Sequence, residues 1–379
     1  MRFEEVYERW TESRLSQAEA AEILGVGERQ FRRQCRRFEA EGIDGLIDLR
    51  IGQVSHRRAP VDEVMALADF YRRRYVGWTA QHFYTKYQAQ GGTRSYNFVR
   101  LALQEHGLVA KAKRRGAHRR KRERRPLIGM MLHQDGSRHE WLPGQQHDLI
   151  VTLDDASGAI YSAFLVAEED TMSSFLGVAE VIARHGLFNS LYTDRGSHYW
   201  HTTKVGGKVD KDNPTQFGRA MAQLGIEMIP AYSPEARGRS ERSFRTLQDR
   251  LPKELRDADI TDRIAANHLL RRTFIRAYNR EFAMATAESG SAFVPWIGTN
   301  LNDILCLQEE RIVRPDNCVV YHQLLLQIPA DRHRCHYVKA KVRVHEYPDR
   351  HLAIFYGPRC LAQYDARGKE RKIKTQAAA

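Results

Sequence analysis

The segment LFNSLYTDRGS, residues 187–197, is a short apolar run that ends in an acid and a glycine-bearing turn. Its apolar part, Leu187 to Thr193, predicts a β-strand, and Asp194 follows where that strand ends. An acid beside a stretch that predicts buried core is costly unless a partner neutralises its charge. We therefore interpret Asp194 as a candidate functional residue.

Two further acids occur in similar settings. Asp135 comes after a strand predicted over Leu127 to Leu132, and Glu241 lies in a helix predicted from about Glu235 to Leu255. Acids at strand ends and on an adjacent helix can converge on one pocket although they are distant in sequence. Mg²⁺ binds a few carboxylate oxygens and keeps positions open for water and phosphate. The three acids therefore predict a pocket where divalent cations act on phosphate esters.

Other acids compete for these roles. Asp154 and Asp155 precede Ala-Ser-Gly, a sequence that predicts a hairpin turn, so Asp135 is the preferred first ligand. Glu235 follows a proline at a helix N-terminus, where the helix dipole favours an acid without any further role. Glu241 itself stands four residues from an arginine on either side, and a simple ion pair is the alternative interpretation.

The charge balance indicates the kind of partner. The 379 residues, enough for about three or four compact units, include 60 lysines and arginines against 47 acids, a net charge of +13. The isoelectric point is near 9.6. This excess favours a polyanionic partner, nucleic acid before membrane, because no basic amphipathic helix or lipidation motif accompanies it. A merely basic soluble protein is the alternative.

Cysteine usage and the N-terminus bear on the compartment. The five cysteines are scattered without a Cys-x-x-Cys pair, which favours a reducing cytosol over a disulfide framework or a four-ligand zinc site. The N-terminus lacks the apolar core of a signal peptide, and no apolar run approaches the length of a membrane span. We expect a soluble intracellular protein with no membrane partner.

Residues 1–52 predict a helix-turn-helix domain. A capping box over Ser16–Glu19 begins one helix, residues 25–27 (Gly-Val-Gly) break it, and a second helix buries Phe31, Cys35 and Phe38. The second helix of such a domain enters the major groove of DNA. A small bundle with a solvated basic face is the alternative. The candidate DNA contacts on its outer face are Arg29, Gln30, Arg32, Arg33 and Arg36, together with Arg37.

Residues 58–110 predict a second helical domain, winged or helix-turn-helix-like. Its helices are expected over Val61–Tyr75, Thr79–Gln90 and Thr93–His106, the last two beginning at threonine N-caps. Whether this domain reads DNA or only packs against its neighbours stays open.

Residues 111–126 form a basic linker in which Glu123 is the only acid. Self-repulsion should keep such a run extended until phosphates neutralise it. Its place between two folded regions favours an arm that lies along a DNA backbone. Its candidate DNA contacts are Arg114, Arg115, Arg119, Arg120 and Lys121.

Residues 127–285 predict a mixed sheet with helices on its faces, because a strand meander is followed by strand-helix alternation. The predicted elements are strands over Leu149–Leu153, Ile160–Val166 and Ile226–Pro230, and helices over Thr171–His185, Gln216–Leu224 and Asp262–Phe282.

After a linker over 286–310, residues 311–367 predict a small all-β barrel or sandwich, followed by a tail over 368–379. One strand is expected over Val319–Ile328. In another, Val338, Ala340, Val342 and Val344 alternate with Lys339, Lys341, Arg343 and His345. A period of two predicts one apolar and one basic face. Lys339 and Lys341 are candidate phosphate contacts, and solubility alone is the alternative explanation.

Three motifs carry a resemblance to a known family. They are Thr193-Asp194-Arg195-Gly196-Ser197, then Ser233-Pro234-Glu235-Ala236-Arg237-Gly238-Arg239-Ser240-Glu241-Arg242, then Phe244-Arg245-Thr246-Leu247. With the order of modules, they resemble insertion-sequence transposases that have a retroviral-integrase catalytic core, and among these the bacterial ISNCY group. The resemblance covers nearly the whole chain and is strongest from Asp135 to Leu255.

The resemblance implies a multidomain fold with N-terminal all-α helix-turn-helix units, a central α/β RNase H-like mixed-sheet core and a small C-terminal all-β barrel. It implies a DDE-type polynucleotidyl transferase in which Asp135, Asp194 and Glu241 are catalytic and bind two Mg²⁺ or Mn²⁺ ions per site. The expected partners are double-stranded DNA, as transposon ends and target, and further copies of the chain, as a homodimer or higher oligomer on DNA in the bacterial cytosol and nucleoid. A catalytically inactive helix-turn-helix regulator is the alternative.

This chain departs from the family pattern in two places. The stretch from Asp194 to Glu241 is longer than usual, and the surplus over Tyr199–Asn213 predicts a loop near the site. In that loop Tyr199 and Trp200 are candidates to stack on an unpaired DNA base. The glycine before Glu241 follows an arginine where many relatives carry asparagine. Arg237 and Arg239 of this motif are candidate DNA contacts.

Overall fold

The computed structural model describes residues 2–48, 58–111, 123–202, 207–232, 234–298, 300–330 and 333–371, with backbone alone for residues 2 and 234–237. The chain divides into two compact units, Met1–Lys111 and Ala112–Ala379, which we describe separately. No helix in these ranges is long and apolar enough to cross a membrane.

The first unit begins with three helices around a small aromatic core. In the predicted capping box, Ser16 Oγ accepts from the Glu19 amide at 3.3 Å and Glu19 Oε2 accepts from the Ser16 amide at 2.8 Å. Gly25 ends the helix with φ of 66°, which favours glycine. Phe31 and Cys35 are buried as predicted. The helices are α1 (Arg2–Thr11), α2 (Gln17–Leu24) and α3 (Glu28–Glu41).

The second helical trio of this unit has its own core, which includes Tyr71 and Phe83. Thr79 is confirmed as an N-cap because its Oγ1 accepts from the His82 amide at 3.3 Å. The N-cap predicted at Thr93 is wrong, since Ser95 takes that role and its Oγ accepts from the Phe98 amide at 3.3 Å. The helices are α4 (Val61–Arg74), α5 (Ala80–Ala89) and α6 (Tyr96–Glu105).

The second unit contains the predicted mixed sheet. Its strand order is β3-β2-β1-β4-β7, with the first three antiparallel and β4 parallel to both β1 and β7. The elements are β1 (Leu132–Leu142), β2 (Gln145–Asp154), β3 (Ile160–Val166), α7 (Thr171–His185), β4 (Ser190–Thr193), β5 (His201–Thr202), β6 (Val209–Asp210), α8 (Gln216–Gln223), β7 (Glu227–Pro230), α9 (Pro234–Asp257), α10 (Arg263–Leu269) and α11 (Ile275–Phe282).

Two predicted elements in this sheet region change. The first strand begins at Leu132 and runs through Asp135, because it pairs with β2 along its whole length. The strand predicted over Leu127–Leu132 is therefore wrong. The helix expected over Asp262–Phe282 is interrupted by a π-helical turn over Leu270–Phe274.

Each face of the sheet is covered by helices over its own apolar core. One core buries α7 and α8 against Leu132 and Leu191. The other buries the stripe of α9 predicted from the sequence, Phe244, Leu247 and Leu251, against β2 and β3. Because α9 is fixed by this stripe, the residues on its neighbouring face are held over the sheet.

The C-terminal region is all-β, as predicted. A five-stranded antiparallel sheet in the order β14-β13-β12-β11-β8 and a β9–β10 hairpin share one apolar core. Closure into a barrel stays a prediction. The strands are β8 (Leu307–Ile312), β9 (Cys318–Tyr321), β10 (Leu324–Gln327), β11 (Lys341–Glu346), β12 (Leu352–Tyr356), β13 (Arg359–Tyr364) and β14 (Glu370–Arg371).

Three predictions for this region are wrong. The single strand over Val319–Ile328 is a hairpin that turns at His322 and Gln323, with φ of 45° and 64°. The alternating strand begins only at Lys341, because Lys339 has φ of 62° in a preceding turn. His345, which was placed on the basic face, is buried and stacks on Phe355 with ring centroids 4.2 Å apart.

His345 makes the stability of this region depend on pH. Burial, with smaller contributions from Arg343 and Arg219, lowers its pKa to about 4 from 6.5. Below pH 6.5 the unfolded chain gains a proton that the folded chain accepts only near pH 4, so stability should fall by up to about 3 kcal/mol over that range. His345→Phe should reduce the difference in melting temperature between pH 7.5 and 4.5. An unchanged difference would contradict this assignment.

Candidate functional site

Asp135 lies in β1, and Asp194 directly follows β4, the parallel neighbour of β1. The register of β1 and β4 pairs His133 with Tyr192, whose rings are 5.0 Å apart. Asp135 and Asp194 each lie two residues beyond this pair, and both carboxylates contribute to the raised pKa of the Tyr199 phenol. The structure therefore brings together two acids that are distant in sequence.

The face of the sheet that carries these acids is defined by their neighbours. Gln134 Nε2 donates to a backbone carbonyl of α7 at 3.1 Å, whereas Ser137 Oγ accepts from Gln248 Nε2 of α9 at 3.0 Å. Successive side chains of a strand point to opposite faces, so Asp135 shares the face of Ser137. Asp135 is 8% exposed beneath α9.

Glu241 is carried by α9 on this same side of the sheet. It precedes Gln248 by two helical turns, about 10.5 Å, and therefore projects in nearly the same direction. It is exposed. Among the described residues, no three His, Cys, Asp or Glu side chains are close enough together to hold one metal ion. Two of the three predicted acids thus lie near Tyr199, and Glu241 is on the same side of the sheet as Asp135 without completing a three-ligand cluster.

A buried phenol lies behind the acids. Tyr199 donates to Gln134 Oε1 at 3.1 Å, and its pKa is raised well above 10 by burial and by the carboxylates of Glu169, Asp135 and Asp194. The phenol is therefore neutral and acts as a fixed donor. The expectation that Tyr199 stacks on DNA is wrong because only 1% of it is exposed.

Trp200 is also buried, and its Nε1 donates to Thr193 Oγ1 at 3.0 Å, so the expectation that it stacks on DNA is wrong. The two aromatic residues support the end of β4 from the core side. The first two residues of the predicted 199–213 loop are part of the core, since both pack with residues of α7 and α8.

Sequence reasoning missed Glu169. Its Oε1 lies 3.3 Å from His198 Nε2, and its backbone amide donates to Asp148 Oδ2 at 2.7 Å. A Cβ at Gly136 would lie 2.1 Å from the Glu169 carboxylate, so the glycine after Asp135 makes room for it. The sequence could explain Glu169 by its place just before the N-terminus of α7, where an acid is favoured. That Glu169 lies near the site depends on distant parts of the chain and could not be predicted locally.

Asp154 and Asp155 both bond to other groups within the chain. Asp154 stabilises its turn, since Oδ2 accepts from the Ser157 amide at 2.7 Å. Asp155 is fully buried and pairs with His133 at 2.8 Å and with Arg239. Arg239, expected to contact DNA, is therefore bound to a buried carboxylate.

The expected DNA contacts of the first unit lie on one helix surface. The α3 residues Arg29, Gln30, Arg32, Arg33 and Arg36 are exposed, and so are Lys339 and Lys341 of the second unit. Arg37 is half-buried and donates to the Ile47 carbonyl at 2.8 Å. Outside the described residues lie Arg114, Arg115, Arg119, Arg120 and Lys121, and the side chain of Arg237.

Comparisons with solved structures give low scores. The catalytic core domain of HTLV-2 integrase in complex with magnesium is 17% identical, with 39% of this chain and 90% of that chain covered at a TM-score of 0.30. The intasome of simian T-cell lymphotropic virus with PP2A regulatory subunit B56 gamma is 14% identical, with 73% and 88% covered at a TM-score of 0.35. Scores this low carry no functional argument.

Sequence comparisons are decisive. Residues 6–59 match the model of a helix-turn-helix domain. The chain is 32% identical to the transposase for insertion sequence IS1202 of Streptococcus pneumoniae, over 51% of this chain and 41% of that protein. It is 31% identical to y4bF of Sinorhizobium fredii (strain NBRC 101917 / NGR234), assigned as a transposase, over 92% of this chain and 77% of that protein. On this identity and coverage, the chain belongs to the insertion-sequence transposases.

Proposed function

We propose that this transposase binds the terminal inverted repeats of its element and catalyses metal-dependent cleavage and strand transfer with Asp135, Asp194 and Glu241. The observation that carries the proposal is that Asp135, in β1, and Asp194, directly after the parallel strand β4, both lie close enough to Tyr199 to raise the pKa of its phenol. Asp135 is on the sheet face that α9 covers. Paired carboxylates facing a polyanion repel it unless a cation lies between them.

The two aspartates fit a hard divalent cation because they offer only carboxylate oxygens, which Mg²⁺ and Mn²⁺ accept. When two such ions are bound, they activate the attacking oxygen and stabilise charge at the scissile phosphate. Asp135 and Asp194 would hold them from the sheet, with Glu241 as the third ligand from α9. Tyr199 supports Gln134, the neighbour of Asp135, from the opposite face.

The DNA partner is a duplex that carries the transposon ends, and later the target. The exposed arginines of α3 supply the phosphate and base contacts expected of a recognition helix. Because two ends must be brought together for strand transfer, the active form would be a homodimer or higher oligomer on DNA.

The metal requirement tests this function. The purified chain should be incubated with labelled duplex that carries the inverted repeats flanking its gene. Cleavage is expected with Mg²⁺ or Mn²⁺ and not with EDTA, whereas DNA binding should persist in EDTA. Tight binding without cleavage under any metal condition would instead identify a helix-turn-helix regulator that has lost catalysis.

A further inference from the structure

A fully buried carboxylate, Asp155, joins three parts of the second unit. Its Oδ1 lies 2.8 Å from His133 Nε2 and also pairs with Nη1 of Arg239. Its Oδ2 accepts from the backbone amide of Arg125 at 2.8 Å. Arg239 Nη2 donates to the backbone carbonyl of Glu123 at 2.8 Å. One acid therefore ties together β1, α9 and the end of the basic linker.

The residues that Asp155 holds are close in sequence to two proposed catalytic acids. His133 precedes Asp135 by two residues on the same face of β1, and Arg239 precedes Glu241 by two residues in α9. Asp155 thus contacts both β1, which carries Asp135, and α9, which carries Glu241. The distance between these two elements determines how far Glu241 lies from Asp135.

Polar contact is important at this end of α9 because the apolar stripe starts later. Among the described side chains of the helix, buried apolar residues begin at Phe244. Arg239 lies more than one turn before that point, with its side chain 16% exposed. A buried carboxylate that loses its cation is strongly unfavourable, so the Asp155–Arg239 pair resists displacement of this part of the helix.

We propose that Asp155 is a positioning residue that acts through Arg239 to fix the N-terminal part of α9, and with it Glu241, over Asp135. Through Arg125 and Glu123, the same carboxylate anchors the end of the basic linker beside the site. The predicted effect on catalysis rests on the proposed function. The anchoring of α9 does not, because it can be measured without an activity assay.

The experiment compares Arg239→Met and Arg239→Lys with Arg256→Met, which removes an exposed arginine from the last turn of the same helix. Hydrogen exchange of residues 238–243 should accelerate about tenfold in Arg239→Met, while residues 247–255 stay protected. The Mg²⁺ concentration for half-maximal cleavage should rise about tenfold, with affinity for end DNA within about twofold of wild type. Arg239→Lys should be intermediate and Arg256→Met unchanged.

The opposite outcome identifies Arg239 as a DNA contact. In that case Arg239→Met would weaken DNA binding and reduce its salt dependence, with hydrogen exchange and Mg²⁺ dependence unchanged, and the inference would be overturned. If Arg239→Met fails to fold, wild-type exchange and Mg²⁺ dependence in Arg239→Lys would overturn it equally. If the wild type shows no metal-dependent cleavage, the proposed function is contradicted. The anchoring of α9 by Asp155 is still tested, because hydrogen-exchange rates do not depend on activity.

Discussion

Asp194→Asn is expected to slow metal-dependent cleavage by at least about 10³-fold while leaving affinity for end DNA at or slightly above that of the wild type. An amide is a neutral and weaker ligand for Mg²⁺, so the charge that offsets the phosphate is no longer held in place. Loss of a negative charge beside the DNA should not weaken DNA binding.

The substitution should preserve the fold. Asp194 Oδ1 accepts from the Gly196 amide at 2.8 Å, and the amide oxygen of asparagine can accept the same bond. Asp135→Asn should behave alike. Rates are measured on labelled end duplex, and affinity by gel shift. Asp212→Asn makes the same charge change in an exposed loop and should keep full activity.

Substantial cleavage by Asp194→Asn would remove this residue from the catalytic set. Loss of both binding and cleavage would indicate that Asp194→Asn damages folding. In that case its melting temperature should be lower than that of Asp212→Asn.

Phe31→Ala is expected to unfold the α1–α3 core and abolish specific binding of transposon ends. Phe31 is fully buried and packs edge-on against Trp10, with ring centroids 5.4 Å apart. Loss of a buried phenylalanine costs about 3–5 kcal/mol. A core this small has few other buried side chains to offset that loss. Calorimetry and gel shift on end duplex measure the two effects.

The control is Ile43→Ala, which removes an apolar side chain that is 62% exposed in the same unit. It should leave folding and binding nearly unchanged, and the transition of the second unit should be the same in both variants. Specific end binding by a Phe31→Ala protein whose α1–α3 core is unfolded would contradict the prediction that α3 reads the ends. A variant that stays fully folded would contradict the predicted loss of stability.

Elements with strong local patterns were predicted well. The bounds of β3 and α7 match those predicted from the sequence, and the capping box at Ser16 and the apolar stripe of α9 are confirmed. Each depends on residues within one or two turns, so periodicity and capping preferences are enough to find them.

Residues whose role depends on distant partners were predicted poorly. His345 was assigned to an exposed face, and Tyr199 and Trp200 to DNA, although all three are buried. Strand alternation and loop composition describe only near neighbours. The helices and strands that cover these side chains come from elsewhere in the chain, so their burial could not be read locally.

The sequence by itself determined the family, the helix-turn-helix domain and the three candidate acids, because motifs and periodicity are properties of neighbouring residues. Only the tertiary structure decided that Asp135, Asp194 and Glu169 all lie near Tyr199, and that Arg239 pairs with Asp155. Those facts follow from the parallel register of β1 with β4 and from the packing of α9 on the sheet. Both are set by burial of apolar surface between segments many residues apart.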